Sequence, residues 1–497
     1  MRSTIKIVIL LFFICTSMSG ASFPDMEKYM RQHALIWEQL PMQWNEGAFL
    51  GNGLVGMMVY ADSTLNALVF HLGRPDVTDH RKAPYRKTSI GTEEADKMVD
   101  FCRLDVGKML LFPEGKILSG TFYLDIYNAE LTGHLKTDKG DLTFHAYTPQ
   151  PEEVNIVEVS SGVPYRWKGI PGNPCSPRIR VFPHLKEKLK YKDNPAPVVN
   201  QKDKEGSWVQ SLLAGGDYAT YWKEVPGGKS RSVLYVSTAN EVPASSLSLA
   251  KAMKTVEATQ ITGTKLLKQK TRQWWNAYHE RSFLSIPDKK LENFYFIQMY
   301  KLATCSHPDG PAMDVMGTFF KLSPWPSFWW NLNIQLTYMP IGPANRMEQG
   351  KNFQRLMDEV FPSLVRSIEP CKIGDYTWAL QNYYMYLRYA GADWQDIKQQ
   401  VVPKALDAFA VFDKILCYKE NTWHLTHIES PEYEGFQKYN DSNYGLASLS
   451  WLLQTLIACH DRTSSTHPDY ARWKEILTRL APYPTNENGL MIAANKP

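Results

Sequence analysis

Cysteine is sparse: seven among 497 residues, with Cys15 near the start and Cys102, Cys175, Cys305, Cys371, Cys417 and Cys459 far apart. No C-x-x-C pair occurs, which excludes a dense disulfide framework; mostly buried thiols are expected, with pairing open in an oxidising compartment. Excess charge is also lacking. The balance is +4, and it falls to +2 without Arg2 and Lys6, too small and too scattered for a nucleic-acid partner. Beyond the N-terminus no apolar run is long enough to span a bilayer. Internal repeats, low-complexity tracts and cofactor motifs are missing, so no cofactor is expected.

Aromatic residues, by contrast, are plentiful: 12% of the chain, including 15 Trp and 26 Tyr. Indole and phenol faces stack on pyranose C–H surfaces, and they also fill large cores. The count fits either use. The first residues, MRSTIKIVILLFFICTSMSGAS, combine basic Arg2 and Lys6 with a short apolar run and then small residues. This is a signal-peptide pattern, so 1–21 is expected to be a leader cleaved near Gly20 or Ala21, and the protein periplasmic or secreted.

Residues 22–245 read mainly as strand. Val69–Leu72, Thr121–Ile126, Leu142–Tyr147, Ile156–Val159 and Ser232–Val236 are short apolar or alternating runs separated by turn residues. That pattern predicts a β-sandwich, with the Lys- and Pro-rich stretch from Val181 to Gly206 as a surface loop. The character changes near Ser246. A helical linker is expected over 246–287, and helical periodicity beyond it predicts a second domain over 288–497. Candidate helices there are Leu291–Thr304, Asn333–Tyr338 continued by Arg346–Phe361, Thr377–Tyr389, Trp394–Cys417, Tyr444–His460 and Tyr470–Leu480.

Three segments carry the chemistry. The first, QWNEGAFLGNGLVGMMVY, sets Gly47, Gly51, Gly53 and Gly56 close together beside Asn52. The spacing is not that of a dinucleotide fingerprint; it predicts a strand hairpin with tight turns. Just after it, Arg74, Asp76, Asp79 and His80 form a polar loop, read as a surface turn or as a loop reaching a cleft. The second segment, GTFFKLSPWPSFWWNLNIQLTY, holds Trp325, Trp329 and Trp330, then Asn331 and Asn333. Carboxamides at i and i+2 of extended chain point the same way and can orient a water or a sugar hydroxyl. Asn is equally a good N-cap for the helix that follows.

The third segment, THIESPEYEGFQKYNDSN, clusters Glu429, Glu432 and Glu434 around Pro431. A carboxyl held among Trp423, Tyr433 and Phe436 would be pushed upward in pKa, as a general acid requires; a solvated acidic loop is the alternative. His424, His427 and Glu429 give H-x-x-H-x-E, which no further residue completes as a zinc site, so no metal is expected.

Taken together these segments resemble glycoside hydrolase family 95, the inverting α-L-fucosidases and related enzymes. The resemblance rests on Trp44-Asn45, Gly51-Asn52-Gly53 with Gly56, Pro324-Trp325, Asn331-x-Asn333-x-Gln335 with Tyr338, and Ser430-Pro431-Glu432. It implies an N-terminal β-sandwich, a helical linker and an (α/α)6 barrel. Glu432 would be the general acid, Asn331 and Asn333 would position the attacking water, and an Asp later in the barrel would polarise those asparagines. Trp325, Trp329, Trp330, Trp378 and Glu429 are the candidate sugar contacts, with an oligosaccharide or polysaccharide as partner.

Family members continue past a segment like APYPTNENGLMIAANKP into a His-rich motif and then the Asp-bearing one. Only about six or seven of twelve barrel helices are legible between Leu291 and Leu480. The expectation is an incomplete barrel that leaves Leu446, Leu449, Leu452, Leu453 and Leu456 in water. Three explanations stand: a fragment, a second chain that completes the barrel, or a carbohydrate-binding remnant without catalysis. A phosphorylase is a further reading, and it calls for a basic phosphate pocket.

Overall fold

The computed structural model describes residues 25–81, 102–242, 247–429, 437–494 and 496. The leader lies outside these residues. A short helix, α1 (Met26–Met30), comes first among the described residues, capped by the Asp25 side chain, which accepts from the Lys28 N–H. Then follow β1 (Leu35–Trp37), β2 (Ala48–Gly51), β3 (Gly56–Asp62), β4 (Ala67–Gly73), β5 (Lys108–Pro113), β6 (Ile117–Asp125), β7 (Glu130–Thr137), β8 (Asp141–Tyr147), β9 (Val154–Ser161) and β10 (Tyr165–Ile170). Two short helices, α2 (Pro177–Val181) and α3 (His184–Lys188), precede β11 (Val198–Gln201), β12 (Glu205–Ser211), β13 (Asp217–Gly228) and β14 (Arg231–Glu241).

The strands form two antiparallel sheets, ordered β1-β6-β7-β8-β9-β14-β13-β12-β11 and β10-β5-β4-β3-β2. Their inner faces meet through Phe70 and Phe144, whose rings sit edge to face 5.5 Å apart. Trp208 and Trp222 are fully buried in the same core. A large share of the aromatic excess is therefore packing.

Two expectations for this region change. The stretch from Val181 to Gly206 is not simply a loop: it carries α3 and β11, and Leu185 and Tyr191 are buried. The polar loop at Arg74–His80 is not a surface turn. Arg74 pairs with Asp76 at 2.7 Å and with Glu153, and Asp79 is fully buried. That carboxylate accepts from Tyr191 at 3.0 Å and Asn194 at 3.3 Å, partners more than a hundred residues away. Burying such groups is tolerable because they satisfy one another.

The linker is two helices, α4 (Ser248–Thr262) and α5 (Thr264–His279), separated at Gly263, whose φ is +80°. Only glycine takes that conformation without a Cβ penalty. The first helix packs on β13 and β14. The second is clamped to the sandwich by Arg272, whose guanidinium donates to both Glu130 oxygens at 2.5 and 2.7 Å.

The helical domain begins with α6 (Lys289–Cys305), where the Asp288 side chain accepts from the N–H groups of Lys290 and Leu291. Next come α7 (Asn333–Tyr338), α8 (Lys351–Glu359), α9 (Phe361–Ser367), α10 (Ile373–Tyr389), α11 (Trp394–Gln400) and α12 (Val402–Phe412). The single helix expected over Trp394–Cys417 is instead α11, α12 and then a hairpin of β15 (Leu416–Lys419) and β16 (Thr422–Leu425). Pro403 falls in the first turn of α12, where its missing N–H costs nothing. The hairpin turns at Glu420 and Asn421, both at positive φ. A two-residue ladder, β17 (Ile428–Glu429) with β18 (Lys438–Tyr439), leads to α13 (Asn443–Thr463) and α14 (Tyr470–Thr478).

Leu446, Leu449, Leu452, Leu453 and Leu456 on α13 are all fully buried, contrary to the expectation that they would face water. α10, α11, α12 and α14 pack around that helix and cover them. Each such leucine contributes about 2 kcal/mol of apolar burial. Among the described residues, no helix is long and apolar enough to cross a membrane, and Cys102, Cys371 and Cys459 are buried.

The glycine-rich segment is a β2–β3 hairpin, as expected, and its turn docks on the helical domain. The Gly53 N–H donates to the Thr304 carbonyl at 2.9 Å. A Cβ on Gly53 would lie 2.3 Å from the Ser306 carbonyl carbon, and one on Gly73 would lie 2.0 Å from the Thr318 oxygen. Backbone meets backbone here, which only glycine allows. Asn52 ties the turn from inside: its amide donates to the carbonyls of Pro149 and Glu152 and accepts from the N–H groups of Leu54 and Val55.

Candidate functional site

The segment leading into α7 divides its aromatic residues between two environments. Trp325 is 40% exposed, and its ring lies 5.1 Å from that of half-buried Trp329, tilted by 52°. Trp330 points the other way. It is only 3% exposed and stacks on Tyr376 at 5.2 Å, beside Phe328. The expected sugar-stacking role does not fit that placement, because both faces of this ring belong to the core.

Asn331 is buried, and neither its Oδ1 nor its Nδ2 has a partner among the described residues. Such a carboxamide retains its full capacity to hold a polar atom, and leaving it unsatisfied costs free energy. The chain turns sharply at Leu332, a non-glycine residue at φ +38°, so the Asn333 N–H donates to the Asn331 carbonyl. Leu332 occupies the N-cap position of α7 and no side chain caps that helix, so neither asparagine serves as the cap. Asn333 faces a cavity of about 140 Å³ shared with Met313, Asp314, Trp329 and Thr337.

Behind this cavity the starts of three helices are joined. Gln335 on α7 donates from Nε2 to the Asp375 carbonyl on α10 at 2.8 Å. Tyr444 on α13 donates to Asp375 Oδ1 at 2.6 Å. Burial and the Asp375 charge push the Tyr444 phenol well above its ordinary pKa, so it stays a donor. Tyr338 closes the other end of α7, accepting from the Met313 N–H at 2.8 Å and donating to Asn352 at 2.9 Å. Gln335 and Tyr338 thus act as braces within the motif.

Trp378, one turn into α10, is half-buried and lines a groove. One arm, of about 250 Å³, adds Tyr444, Ser448 and Trp451. A second, of about 270 Å³, adds Asn382, Met385 and Tyr389. Every residue lining either arm is uncharged. Trp378 is therefore available to a ligand, in a groove whose lining shares no residue with the cavity at Trp329.

Glu429 is half-buried beside the start of α10, with one oxygen 3.9 Å from Cys371 Sγ. Burial pushes that thiol up in pKa, against the pull of Lys438. Ser430, Pro431, Glu432 and Glu434 lie outside the described residues, as do Tyr433 and Phe436. Trp423, expected beside the acid, rests on Tyr418 with ring centroids 4.8 Å apart. His424 Nδ1 is 2.7 Å from Asp441, and no group of three His, Cys, Asp or Glu among the described residues could hold a metal ion.

The sandwich also reaches this site. Arg178 on α2 donates to the Pro324 carbonyl at 2.5 Å, and its guanidinium lies 5.1 Å from the Trp325 ring centroid. The Arg103 N–H donates to the Pro326 carbonyl at 2.6 Å, and its side chain bonds Asp314 at 3.1 Å and the Gly317 carbonyl at 2.6 Å. Asp314, Asp375, Tyr444, Arg103 and Arg178 were not among the sequence candidates. They come from elements far apart in the chain, and no local pattern marks them.

No protein-family model matches the sequence, and no curated protein matches it. Solved structures do. The chain aligns over 88% of its length, at 9% identity and a TM-score of 0.58, with a protein assigned as a kojibiose phosphorylase from the human microbiome. A bacterial glucoamylase complexed with acarbose aligns over 90% of this chain and 69% of its own at 8% identity, TM-score 0.49. A family 92 α-mannosidase from Bacteroides thetaiotaomicron aligns over 88% and 63% at 8% identity, TM-score 0.34. The chain spans 66% of the length of the first of these, and its sheet-plus-helix architecture is of the (α/α)6-barrel type to which that structure belongs.

Proposed function

We propose that this chain is an exported, carbohydrate-active protein of the glycoside-hydrolase type, inverting and α-L-fucosidase-like, acting on glycan side chains. Glu432 protonates the glycosidic oxygen. Asn331 and Asn333 hold a water that adds to the anomeric carbon as the bond to the leaving group breaks. In inverting enzymes the water loses its proton to a carboxylate on the far side of the sugar, about 6.5–9.5 Å from the acid.

The observation that carries this reading is the Asn331–Asn333 turn. One carboxamide is buried without a partner among the described residues, and the other faces a small cavity lined by half-buried Trp329, whose ring adjoins that of exposed Trp325. Core asparagines ordinarily find partners, so a buried pair of bonding sites left over fits a role in holding a polar ligand. The fold likeness is consistent with this reading.

The test is reducing-sugar release from fucosylated oligosaccharides by the full chain, with and without phosphate, following the product anomer by NMR. Hydrolysis is expected without phosphate and with inversion. Glu432→Gln is expected to lower turnover by about 10²–10⁴-fold and leave sugar binding intact. Unchanged turnover in that variant removes Glu432 from the mechanism; dependence on phosphate replaces hydrolysis with phosphorolysis. Binding without turnover identifies a carbohydrate-binding remnant.

A further inference from the structure

We infer that Arg178, a residue of the sandwich domain, is a positioning residue for the sugar platform, so that a site recognising neutral oligosaccharides is built from both domains. The inference rests on the glycan-handling reading above and concerns the Trp325–Trp329 pair.

Trp325 belongs to a stretch without regular structure and is 40% exposed. An indole so placed has less packing to hold one rotamer than a core residue has, yet stacking on a sugar ring demands a fixed plane. The sandwich supplies the constraint. Arg178 is only 7% exposed, and its guanidinium lies 4.5 Å from the Phe182 ring centroid, within its own domain. From there it makes two contacts to one dipeptide, a hydrogen bond to the Pro324 carbonyl and the cation–π approach to Trp325. A cation over one indole face leaves the opposite face for a pyranose. Trp329 stands beside it at 52°, so the two rings make a bent wall.

A second anchor acts on the same loop independently. Arg103, buried, fixes Pro326 through its backbone and Asp314 and Gly317 through its side chain. The loop is therefore held from the sandwich side at both ends of the Trp325 region. Arginine is the residue required at 178, since its planar fork can donate a hydrogen bond and lie flat on a ring at once, and lysine's point charge cannot do both.

The experiment uses the full chain and its Arg178→Met, Arg178→Lys and Trp325→Ala variants, each checked by thermal unfolding. Binding of a neutral fucosylated oligosaccharide is followed by tryptophan fluorescence. Arg178→Met is expected to weaken binding about tenfold with little change in Tm, and Arg178→Lys to recover part of that loss. Where turnover is measurable, KM rises and kcat holds. In the Trp325→Ala background the Arg178→Met change is expected to add nothing.

Wild-type affinity in Arg178→Met, or an equal further loss in the Trp325→Ala background, overturns the inference. Should Arg178→Met fail to fold, Arg178→Lys with and without Trp325→Ala gives the same comparison. If the wild type binds no oligosaccharide, the functional reading falls by itself. Positioning is then read from acrylamide quenching of Trp325, taken as the difference between the wild type and Trp325→Phe. Greater quenching in Arg178→Met supports the inference, and unchanged quenching overturns it.

Discussion

Replacing Glu130 by Gln tests how the linker helix is fastened to the sandwich. Glu130 opens β7 and is 8% exposed; its carboxylate takes both bonds from Arg272 and lies 2.9 Å from His145 Nε2. Burial pushes this carboxyl up, but the bonds from Arg272 and His145 outweigh burial and hold it at about 2 against an ordinary 4.5. A difference of that size corresponds to about 3 kcal/mol of native-state stability. Arg272 is itself 51% exposed, so water screens part of the attraction and about 2 kcal/mol is the working figure.

The sign follows from the depressed value. The unfolded chain takes up the proton near 4.5 and the native state only near 2, so the contribution is complete above 4.5 and disappears as pH falls towards 2. Urea unfolding at pH 7 is expected to place Glu130→Gln about 2 kcal/mol below the wild type, and the gap is expected to narrow to roughly a quarter of that near pH 2.5. A double-mutant cycle with Arg272→Met is expected to show coupling of about 1–2 kcal/mol. A gap of equal size at both pH values, or strict additivity in the cycle, would refute the argument.

Other outcomes follow from the same structure. His279 is fully buried, burial holds its imidazole down at about 3, and Nε2 lies 2.9 Å from the Ile126 carbonyl; this neutral histidine adds stability that is lost as pH falls from 6.5 towards 3, and His279→Asn is expected to flatten that slope in urea titrations. Gly53→Ala, at φ +82° and against the Ser306 backbone, is expected to cost more than about 2 kcal/mol by thermal unfolding. Leu453→Ala is expected to cost about 2–5 kcal/mol, whereas an α13 face open to water would give a change near zero. Trp330→Ala is expected to lower Tm by several degrees, while Trp329→Ala leaves Tm nearly unchanged and weakens oligosaccharide binding; the reverse pattern would exchange their assignments.

Elements whose signals are local were legible in the sequence. Alternation marked β6, β8 and β14. Asp288, Asp393 and Ser442 cap helices through their side chains, as those residue types do. Elements that depend on distant partners were not legible. Asp79 read as part of a polar turn because its bonding partners, Tyr191 and Asn194, lie in a different stretch. Trp329 and Trp330 are adjacent and chemically identical, and the rings that pack on Trp330, Tyr376 and Phe361 among them, come from elsewhere in the chain. The glycine run was read correctly as a hairpin, but its reason, close approach to Thr304 and Ser306, comes from the other domain.

The contact at Gly53 and Gly73 has a consequence for exchanging modules between proteins of this architecture. Interfaces made of side chains drift and are repaired by compensating substitutions, because one large residue can shrink as its neighbour grows. Here main chain lies against main chain, with no side chain available to trade volume. A donor sandwich would graft onto this helical half only if it brought glycine to both places and the same hairpin path. The two halves are thus expected to be inherited as a pair, and to melt in a single transition.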